Sequence, residues 1–220
     1  PAMEDGAIDW VTGKGPGGQK ELSSILVPRG APGYTQSKPY KKMGWRASDT
    51  RELHFDDCRV PEGNLVGRVG GGLCQLLAVL DRGRVALSAL CTGLAQGCLD
   101  HALAYAKQRV AFGQVISKFQ AIQFKLADMA VNVDLARLIT YKAAFFQELG
   151  RPLTQIAAMA KLFASEVAVR AAEDGLQIHG GYGFMRETPI YRFFRDAKAL
   201  TIGEGTSEVL RMVIARQLGA

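Results

Sequence analysis

The feature that most constrains this chain is a change of sequence pattern near residue 70. From the glycine triplet at 70–72 onward, apolar residues recur at three- and four-residue spacing, the period of one face of an α-helix. The pattern predicts helices over residues 73–109, 118–149, 154–178 and 206–218, and the third of these is rich in alanine. Long antiparallel helices of this kind are expected to form a four-helix bundle.

The first 69 residues follow a different pattern. They hold six of the eight prolines, and short apolar runs alternate there with turn residues. Three of these runs, at 8–12, 23–27 and 52–60, are predicted to be strands. Three strands bury little apolar surface by themselves, so we expect the later part of a β-domain whose beginning lies elsewhere. The expected fold class is α+β, mainly α, with residues 1–69 as part of a β-domain and residues 70–220 as a helical bundle.

Composition and charge narrow the classes of function. The formal net charge is +6, but the basic residues do not alternate with aromatic residues along one face, which disfavours a nucleic-acid-binding module. The longest apolar segment, residues 73–90, is interrupted by Asp81, Arg82 and Arg84, so no membrane span is predicted. The first residues lack the basic and then apolar order of a secretory signal, and we expect a protein that is not secreted.

No metal site is predicted from the cysteines and histidines. The four cysteines show no Cys-x-x-Cys spacing, and none of the three histidines follows a glutamate by three residues, as carboxylate-bridged metals in helical bundles require. Free thiols in a reducing compartment are the simpler interpretation. The sequence also has no Walker motif and no Gly-x-Ser-x-Gly motif, so phosphoryl transfer and serine hydrolysis have no support.

Glu204 is the strongest candidate for chemistry on physical grounds. It lies between Gly203 and Gly205, directly before a predicted helix N-terminus. Flanking glycines let a ligand approach the backbone, whose N–H groups at this place can polarise a bound carbonyl. In apolar surroundings such a carboxylate can act as a general base. The alternative interpretation is a solvated loop glutamate.

Three other segments have both a chemical and a purely structural interpretation. The glycine-rich run 177–183 follows a helix rather than a strand, so it is not a dinucleotide-binding fingerprint and suits a helix C-terminal cap. Arg109 could bind a phosphate, or it could only complement the negative end of the first helix. Asp81 and Arg84 form an i, i+3 pair, which ordinarily contributes about 0.2–0.5 kcal/mol to helix stability.

Considered as a set, seven segments of the chain resemble the acyl-CoA dehydrogenase family. They occur in the family's order with the family's spacing, and the resemblance covers essentially the entire chain. The segments are Leu80-Asp81-Arg82-Gly83-Arg84, Arg109-x-x-Phe112-Gly113, Phe119-Gln120-x-Ile122-Gln123, Leu126-Ala127-Asp128-Met129-Ala130, Gln177-Ile178-His179-Gly180-Gly181-x-Gly183, Tyr191-Arg192-Phe193-Phe194-Arg195-Asp196-Ala197 and Gly203-Glu204-Gly205-Thr206-Ser207-Glu208.

The resemblance implies a fold with an N-terminal helical domain, a central β-domain and a C-terminal four-helix bundle. This chain corresponds to the later part of the β-domain and the whole bundle. The N-terminal helices and the β-domain stretch that lines the flavin have no counterpart in these residues. We therefore expect the 220 residues alone to be helical and oligomeric, and to bind FAD weakly or not at all unless the missing N-terminal part is supplied.

The resemblance also implies an activity and a catalytic base. Family members convert a saturated acyl-CoA to its trans-2-enoyl-CoA, and Glu204 matches the base that removes the α-proton while a hydride leaves the β-carbon for N5 of FAD. The backbone N–H of Glu204 and a flavin ribityl hydroxyl would stabilise the enolate oxygen. Some members carry the base one residue before the family arginine; that position is Gly83 here, so the chain resembles the short-, medium- and short-branched-chain types.

Further site residues are implied position by position. Asp81, Arg84 and Gly205 match substrate-binding positions. Arg109, Phe112 and Gln120 match positions that contact FAD, expected to be the FAD of a neighbouring subunit. The remaining FAD-binding positions implied by the resemblance are Gln177, Ile178, His179, Gly180, Gly181, Thr206, Ser207 and Glu208.

The resemblance implies partners as well. These are an acyl-CoA substrate, electron-transferring flavoprotein as the electron acceptor, and further copies of the chain in a dimer of dimers. The expected compartment is the bacterial cytoplasm or the mitochondrial matrix. Two alternatives stay open, namely an acyl-CoA oxidase that reacts with oxygen and a non-catalytic chain that is truncated or completed by another polypeptide.

Overall fold

The computed structural model describes residues 6–14 and 20–220. The chain divides into two compact units, one formed by Pro1–Lys42 with Arg46–Leu80 and the other by Met43–Trp45 with Asp81–Ala220. The first unit contains the strands β1 (Gly6–Lys14), β2 (Lys20–Pro28), β3 (Tyr34–Gln36), β4 (Leu53–Phe55) and β5 (Leu65–Val66).

The strands of the first unit are all paired antiparallel. Strand β1 pairs with β2 from Gly6 opposite Pro28 to Lys14 opposite Lys20, and β5 pairs with the other edge of β2. Strands β3 and β4 form a separate pair.

Two of the three strand predictions are confirmed and one is wrong in extent. The predicted strands at 8–12 and 23–27 lie within β1 and β2. Of the predicted strand at 52–60, only Leu53–Phe55 is extended and paired. The chain leaves the strand at Asp57, which has a left-handed φ of 43°. Aspartate tolerates this conformation and favours turns, so the strand ends well before residue 60, where the sequence pattern had predicted its end.

The described residues contain five α-helices, one more than predicted. They are α1 (Gly72–Gln108), α2 (Gln120–Glu148), α3 (Thr154–His179), α4 (Ile190–Leu200) and α5 (Ser207–Gln217), and a short hairpin of β6 (Val110–Ala111) and β7 (Gln114–Val115) joins the first two. The four predicted helices are confirmed, and α4 is the one that the prediction missed. In the part of the chain that is described, no helix combines the length and apolar character needed to cross a membrane.

Helix α3 lies at the centre of the second unit and packs against α2, α4 and α5. Its small side chains let neighbouring helices approach closely, as the alanine-rich pattern predicted. The buried alanines of α3 are Ala157, Ala158, Ala160, Ala164, Ala168, Ala171 and Ala172.

A short segment that is distant in sequence, Met43–Trp45, joins the second unit at α4. The backbone N–H of Trp45 donates to Asp196 Oδ1 at 2.7 Å, and its indole N–H donates to the Asp196 carbonyl at 2.9 Å. Arg195 Nε donates to the Met43 carbonyl at 2.6 Å. Trp45 also packs against the buried core. A segment that precedes the helical bundle in the sequence therefore helps to hold α4 in place.

Candidate active site

The turn between α4 and α5 carries Glu204. Thr206 caps α5, because its Oγ1 accepts the N–H of Val209 at 3.4 Å. Glu204 and Gly205 both have left-handed backbone conformations, with φ of 57° and 102°. For a residue with a side chain this conformation costs on the order of 1–3 kcal/mol and persists only where the surroundings fix it. Glu204 is therefore held in place by its environment.

The Glu204 carboxyl packs against α1 at Gly83. A methyl group on Gly83 would lie 2.6 Å from Oε1 and 2.7 Å from Cδ of Glu204, and closer still to Oε2. Oε2 is buried and has no hydrogen-bond partner among the described residues. Unpaired buried polar atoms are rare in folded proteins, and such an atom is available to a ligand. The carboxyl is thus not that of a solvated loop residue.

The electrostatic surroundings of Glu204 favour basicity. Burial raises the pKa of Glu204, because a carboxylate loses hydration when it leaves water. The positive charges of Arg84 and Lys161 oppose this effect without cancelling it. A carboxylate whose pKa is raised accepts a proton more readily than an ordinary one, provided that it is ionised at the working pH.

The Asp81–Arg84 pair is part of this site rather than a surface pair. Arg84 is 5% exposed; its Nη1 donates to Asp81 Oδ1 at 2.9 Å, and its Nε donates to the Glu204 carbonyl at 3.2 Å. The other Asp81 oxygen accepts a hydrogen bond from Thr154 Oγ1 at 2.5 Å. The pair therefore connects α1 with the first residue of α3 and with the Glu204 turn.

A cavity of about 560 Å³ lies beside the C-terminal end of α3. It brings together Arg109 and the segment 178–181, which are predicted FAD-binding residues. Methyl groups on Gly180 and Gly181 would meet no atom within 4 Å, so the space beside this turn is open. The lining residues are Tyr105, Arg109, Ile116, Ile178, His179, Gly180, Gly181, Tyr182 and Met185.

The side chains of this cavity suit a ligand with aromatic and anionic parts. His179 stacks on Tyr105 with ring centroids 4.3 Å apart, and the Arg109 guanidinium lies 5.4 Å from the centroid of the Tyr182 ring. His179 Nδ1 lies 2.7 Å from the Gly175 carbonyl, which can only accept, so Nδ1 carries the proton. Burial lowers the pKa of His179, which favours a neutral ring. A flat ring system can stack here, and Arg109 can bind phosphate.

The other predicted FAD-binding residues do not line this cavity. Thr206, Ser207 and Glu208 line a second cavity of about 430 Å³, which also contains Lys198 and Arg211. Gln120 is exposed at the first residue of α2, and Gln177 is exposed on the last turn of α3. The structure therefore distributes the predicted FAD-binding residues over several places in this chain.

Phe112 lies at the tip of the β6–β7 hairpin and is 97% exposed. Phe112 and Gly113 form a two-residue turn with φ of 52° and 81°, the combination that matches the twist of a two-stranded hairpin. A phenylalanine is seldom found in this conformation. The hairpin thus presents an exposed aromatic ring, whose only aromatic neighbour among the described residues is Phe119, edge-on at a centroid distance of 6.2 Å.

Sequence reasoning missed Lys161, Thr154 and Tyr105. Lys161 is 0% exposed, and its Nζ donates to the Gly205 carbonyl at 2.7 Å. One signal could have found it, because Lys161 lies four residues after Ala157 on the alanine-rich face of α3, where a solvated lysine is not expected. Thr154 contacts Asp81 and Tyr105 contacts His179, both far away in the sequence, and the sequence carried no signal for these contacts.

Comparison with known proteins shows which family the chain resembles. The family model described as the C-terminal domain of acyl-CoA dehydrogenase matches residues 70–219. A Bacillus subtilis (strain 168) protein described as a probable acyl-CoA dehydrogenase is 54% identical over 211 residues, which is 96% of this chain and 56% of that protein. The chain spans about half the length of the curated relatives it matches.

Two solved structures are similar over nearly the whole chain. Butyryl-CoA dehydrogenase from Megasphaera elsdenii is 41% identical with a TM-score of 0.93, and the match covers 98% of this chain and 56% of that one. A prolyl acyl carrier protein oxidase is 33% identical with a TM-score of 0.94, covering 99% of this chain and 58% of that one.

Proposed function

We propose that this chain, which belongs to the acyl-CoA dehydrogenase family, carries the catalytic base and part of the cofactor site of an FAD-dependent enzyme that converts an acyl-CoA to its trans-2-enoyl-CoA. The observation that carries the proposal is the Glu204 carboxyl, whose Oε2 is buried without a hydrogen-bond partner among the described residues. We further propose that residues 1–69 are the C-terminal part of the central β-domain, because the match to the helical domain begins at residue 70.

The chemistry proposed for this chain is removal of the α-proton by Glu204. The α-proton of a thioester is weakly acidic, so the negative charge that develops on the thioester oxygen must be stabilised. The backbone N–H of Glu204 can do this, since it has no backbone acceptor among the described residues. FAD, when bound, supplies the acceptor for the hydride that leaves the β-carbon.

The residues proposed to hold FAD fit a dinucleotide. Arg109 provides a guanidinium for a phosphate, and the open turn at 180–181 lets a ligand reach the backbone. Thr206, Ser207 and Glu208 provide a second polar cavity beside α5. Asp81, Arg84 and Gly205 are proposed as substrate-binding residues because they surround the Glu204 turn. The similarity to butyryl-CoA dehydrogenase supports a short to medium acyl chain.

Helix α2 supports assembly with further copies of this chain, proposed as a dimer of dimers. Phe124, Val131, Leu138 and Phe145 recur every seven residues on α2, and each is more than half exposed. Such a stripe is the pattern of a helix that packs against another helix. Sedimentation of the full-length protein should show an oligomer at micromolar concentration, and a monomer would contradict this assignment.

Replacing Arg109 tests the FAD assignment. If its guanidinium binds the pyrophosphate of FAD, Arg109→Ala should lower FAD affinity by about tenfold or more, since a charge-assisted hydrogen bond contributes about 1.5–3 kcal/mol. If that FAD belongs to a neighbouring subunit, the oligomer should also dissociate more readily. Flavin fluorescence and sedimentation measure the two effects. Lys107→Ala, which removes another exposed cation from the end of α1, is the control. Unchanged FAD affinity in Arg109→Ala would mean that Arg109 does not bind FAD and only complements the negative end of α1.

The activity itself is tested by reducing the flavin with substrate. The full-length protein should bind FAD stoichiometrically, and short-chain acyl-CoA should bleach the flavin absorbance in the absence of oxygen. No bleaching by acyl-CoA of any chain length would contradict the proposal. We propose electron-transferring flavoprotein as the electron acceptor. We also propose a reducing compartment, either the bacterial cytoplasm or the mitochondrial matrix, because all four cysteines are free thiols.

An acyl thioester oxidase is the second candidate function. The similarity to a prolyl acyl carrier protein oxidase favours it, because that protein shares the fold over 99% of this chain at 33% identity. The two functions differ in what reoxidises the flavin. Steady hydrogen peroxide production with acyl-CoA in air, at a rate that added electron-transferring flavoprotein does not increase, would establish the oxidase and overturn the dehydrogenase.

A further inference from the structure

Lys161 is a buried cation that the proposed reaction does not yet use. It is the eighth residue of α3 and is 0% exposed. Among the described residues it has no carboxylate within salt-bridge distance of 4.0 Å. A buried ammonium is costly unless hydrogen bonds or opposite charges compensate for the lost hydration. Its presence at this place therefore needs an explanation beyond packing.

The hydrogen bond of Lys161 holds the turn that carries Glu204. Its Nζ donates to the Gly205 carbonyl at 2.7 Å, while Arg84 Nε donates to the preceding carbonyl, that of Glu204, at 3.2 Å. Two consecutive carbonyls are thus held by cations from two different helices. These contacts supply the restraint that keeps Glu204 and Gly205 at positive φ.

The charges around Lys161 make Glu204 its electrostatic partner. The groups that face Lys161 are Cys91 and Arg84 of α1 and Glu204 of the turn. Burial raises the pKa of Cys91 to about 12, so this thiol is neutral at working pH. Arg84 is itself paired with Asp81. Burial lowers the pKa of Lys161 and raises that of Glu204, and the attraction between their charges opposes both effects.

We propose that Lys161 is a positioning residue for the dehydrogenation: it fixes the Gly205 carbonyl, and through it the carboxylate and N–H of Glu204, and its positive charge favours the ionised form of that carboxyl. The inference rests on the proposed function, in which Glu204 is the base. It adds a second residue of α3, after Thr154, to the site around the Glu204 turn.

The experiment compares Lys161→Met, which removes charge and donor at similar length, with Lys161→Arg, which keeps both. In Lys161→Met the pH at half-maximal flavin reduction should rise by about one unit or more, which lowers the rate by about tenfold at pH values well below both midpoints. The decrease should fall on kcat rather than KM, because Lys161 makes no contact with substrate in this assignment. Lys161→Arg should move both values back toward wild type. Lys107→Met, an exposed lysine on α1, should change neither.

A second readout does not depend on turnover. In protein labelled with ¹³C at the glutamate carboxyls, the Glu204 signal is identified by its loss in Glu204→Gln, and its titration should move to higher pH in Lys161→Met. Lys161→Gln keeps an N–H donor and loses the charge, so it should give the same titration shift. It replaces Lys161→Met in the experiment if the Met variant does not fold.

The outcomes separate this inference from the proposed function. Loss of thermal stability in the Met or Gln variant with an unchanged Glu204 titration and an unchanged pH–rate profile would make Lys161 merely structural and overturn the inference. If acyl-CoA does not bleach the wild-type flavin, the proposed function fails. The carboxyl titration still decides whether Lys161 controls the ionisation of Glu204.

Discussion

Glu204→Gln should slow the reduction of bound FAD by acyl-CoA by about 10²–10⁴-fold, the range that a general base contributes. Glutamine keeps the size of the side chain and removes the carboxylate that is proposed to accept the α-proton. Because the backbone N–H of residue 204 remains, acyl-CoA binding should be retained. Stopped-flow measurement of flavin bleaching without oxygen gives the rate, and the spectral shift on adding substrate gives the affinity.

A matched control is available on the neighbouring helix. Glu173 is exposed on α3, and Glu173→Gln should reduce the flavin at the wild-type rate. If Glu204→Gln also bleaches its flavin at a rate near that of wild type, Glu204 is not the base. The pH profile adds a check, since the rate in wild type should fall as the pH falls through the raised pKa of Glu204.

Gly83→Ala should lower the same rate by about 10²-fold, because a methyl group at this position occupies the space of the Glu204 carboxyl. The carboxyl is the end of a flexible side chain, so it can move aside and the fold can accommodate the change. Movement of about 1 Å is enough to misplace a reacting group. Alanine is also favoured over glycine inside a helix by about 0.5–1 kcal/mol, so α1 should not be destabilised.

The combination of lower activity and undiminished stability distinguishes this prediction from a folding defect. Gly93→Ala is the control, since Gly93 lies on the same helix and a methyl group there would meet no atom within 4 Å. Gly93→Ala should keep the wild-type rate. A Gly83→Ala enzyme with full activity would show that the carboxyl reacts from a place other than the one beside Gly83.

The fold was predictable where the apolar period was long. Helices α1, α2, α3 and α5 follow sustained patterns, and each boundary falls within about two residues of the predicted one. Helix α4 was missed although Ile190, Ala197 and Leu200 are buried along it at helical spacing. It is only 11 residues long and contains several charged residues, so local pattern alone distinguishes it poorly from a loop.

The candidate site was less accessible to sequence reasoning. Spacing cannot show that Arg84 and Glu204, which lie 120 residues apart, are hydrogen-bonded, and only the family resemblance placed them in one site. The alanine-rich face of α3 carried a signal for the burial of Lys161, but its hydrogen bond to the Gly205 carbonyl depends on how α3 packs against the turn and was visible only in the structure. The roles assigned to the FAD-binding positions stay predictions, because several of those side chains, among them Phe112, Gln120 and Gln177, are exposed and contact little of this chain.

The Met43–Trp45 segment limits how this protein can be divided for experiments. A fragment beginning at residue 70, where similarity to the C-terminal family domain begins, would lack the indole that packs into the core beside α4. It would also leave Asp196 Oδ1 without the backbone N–H of Trp45 as its hydrogen-bond donor. Asp196 lies in the last turns of α4, which lead directly into the Glu204 turn. The backbone amides of α4 are therefore expected to exchange slowly only in a protein that includes Met43–Trp45. Removing these three residues should increase the mobility of the Glu204 turn, while the far-ultraviolet circular dichroism of the helical bundle stays unchanged.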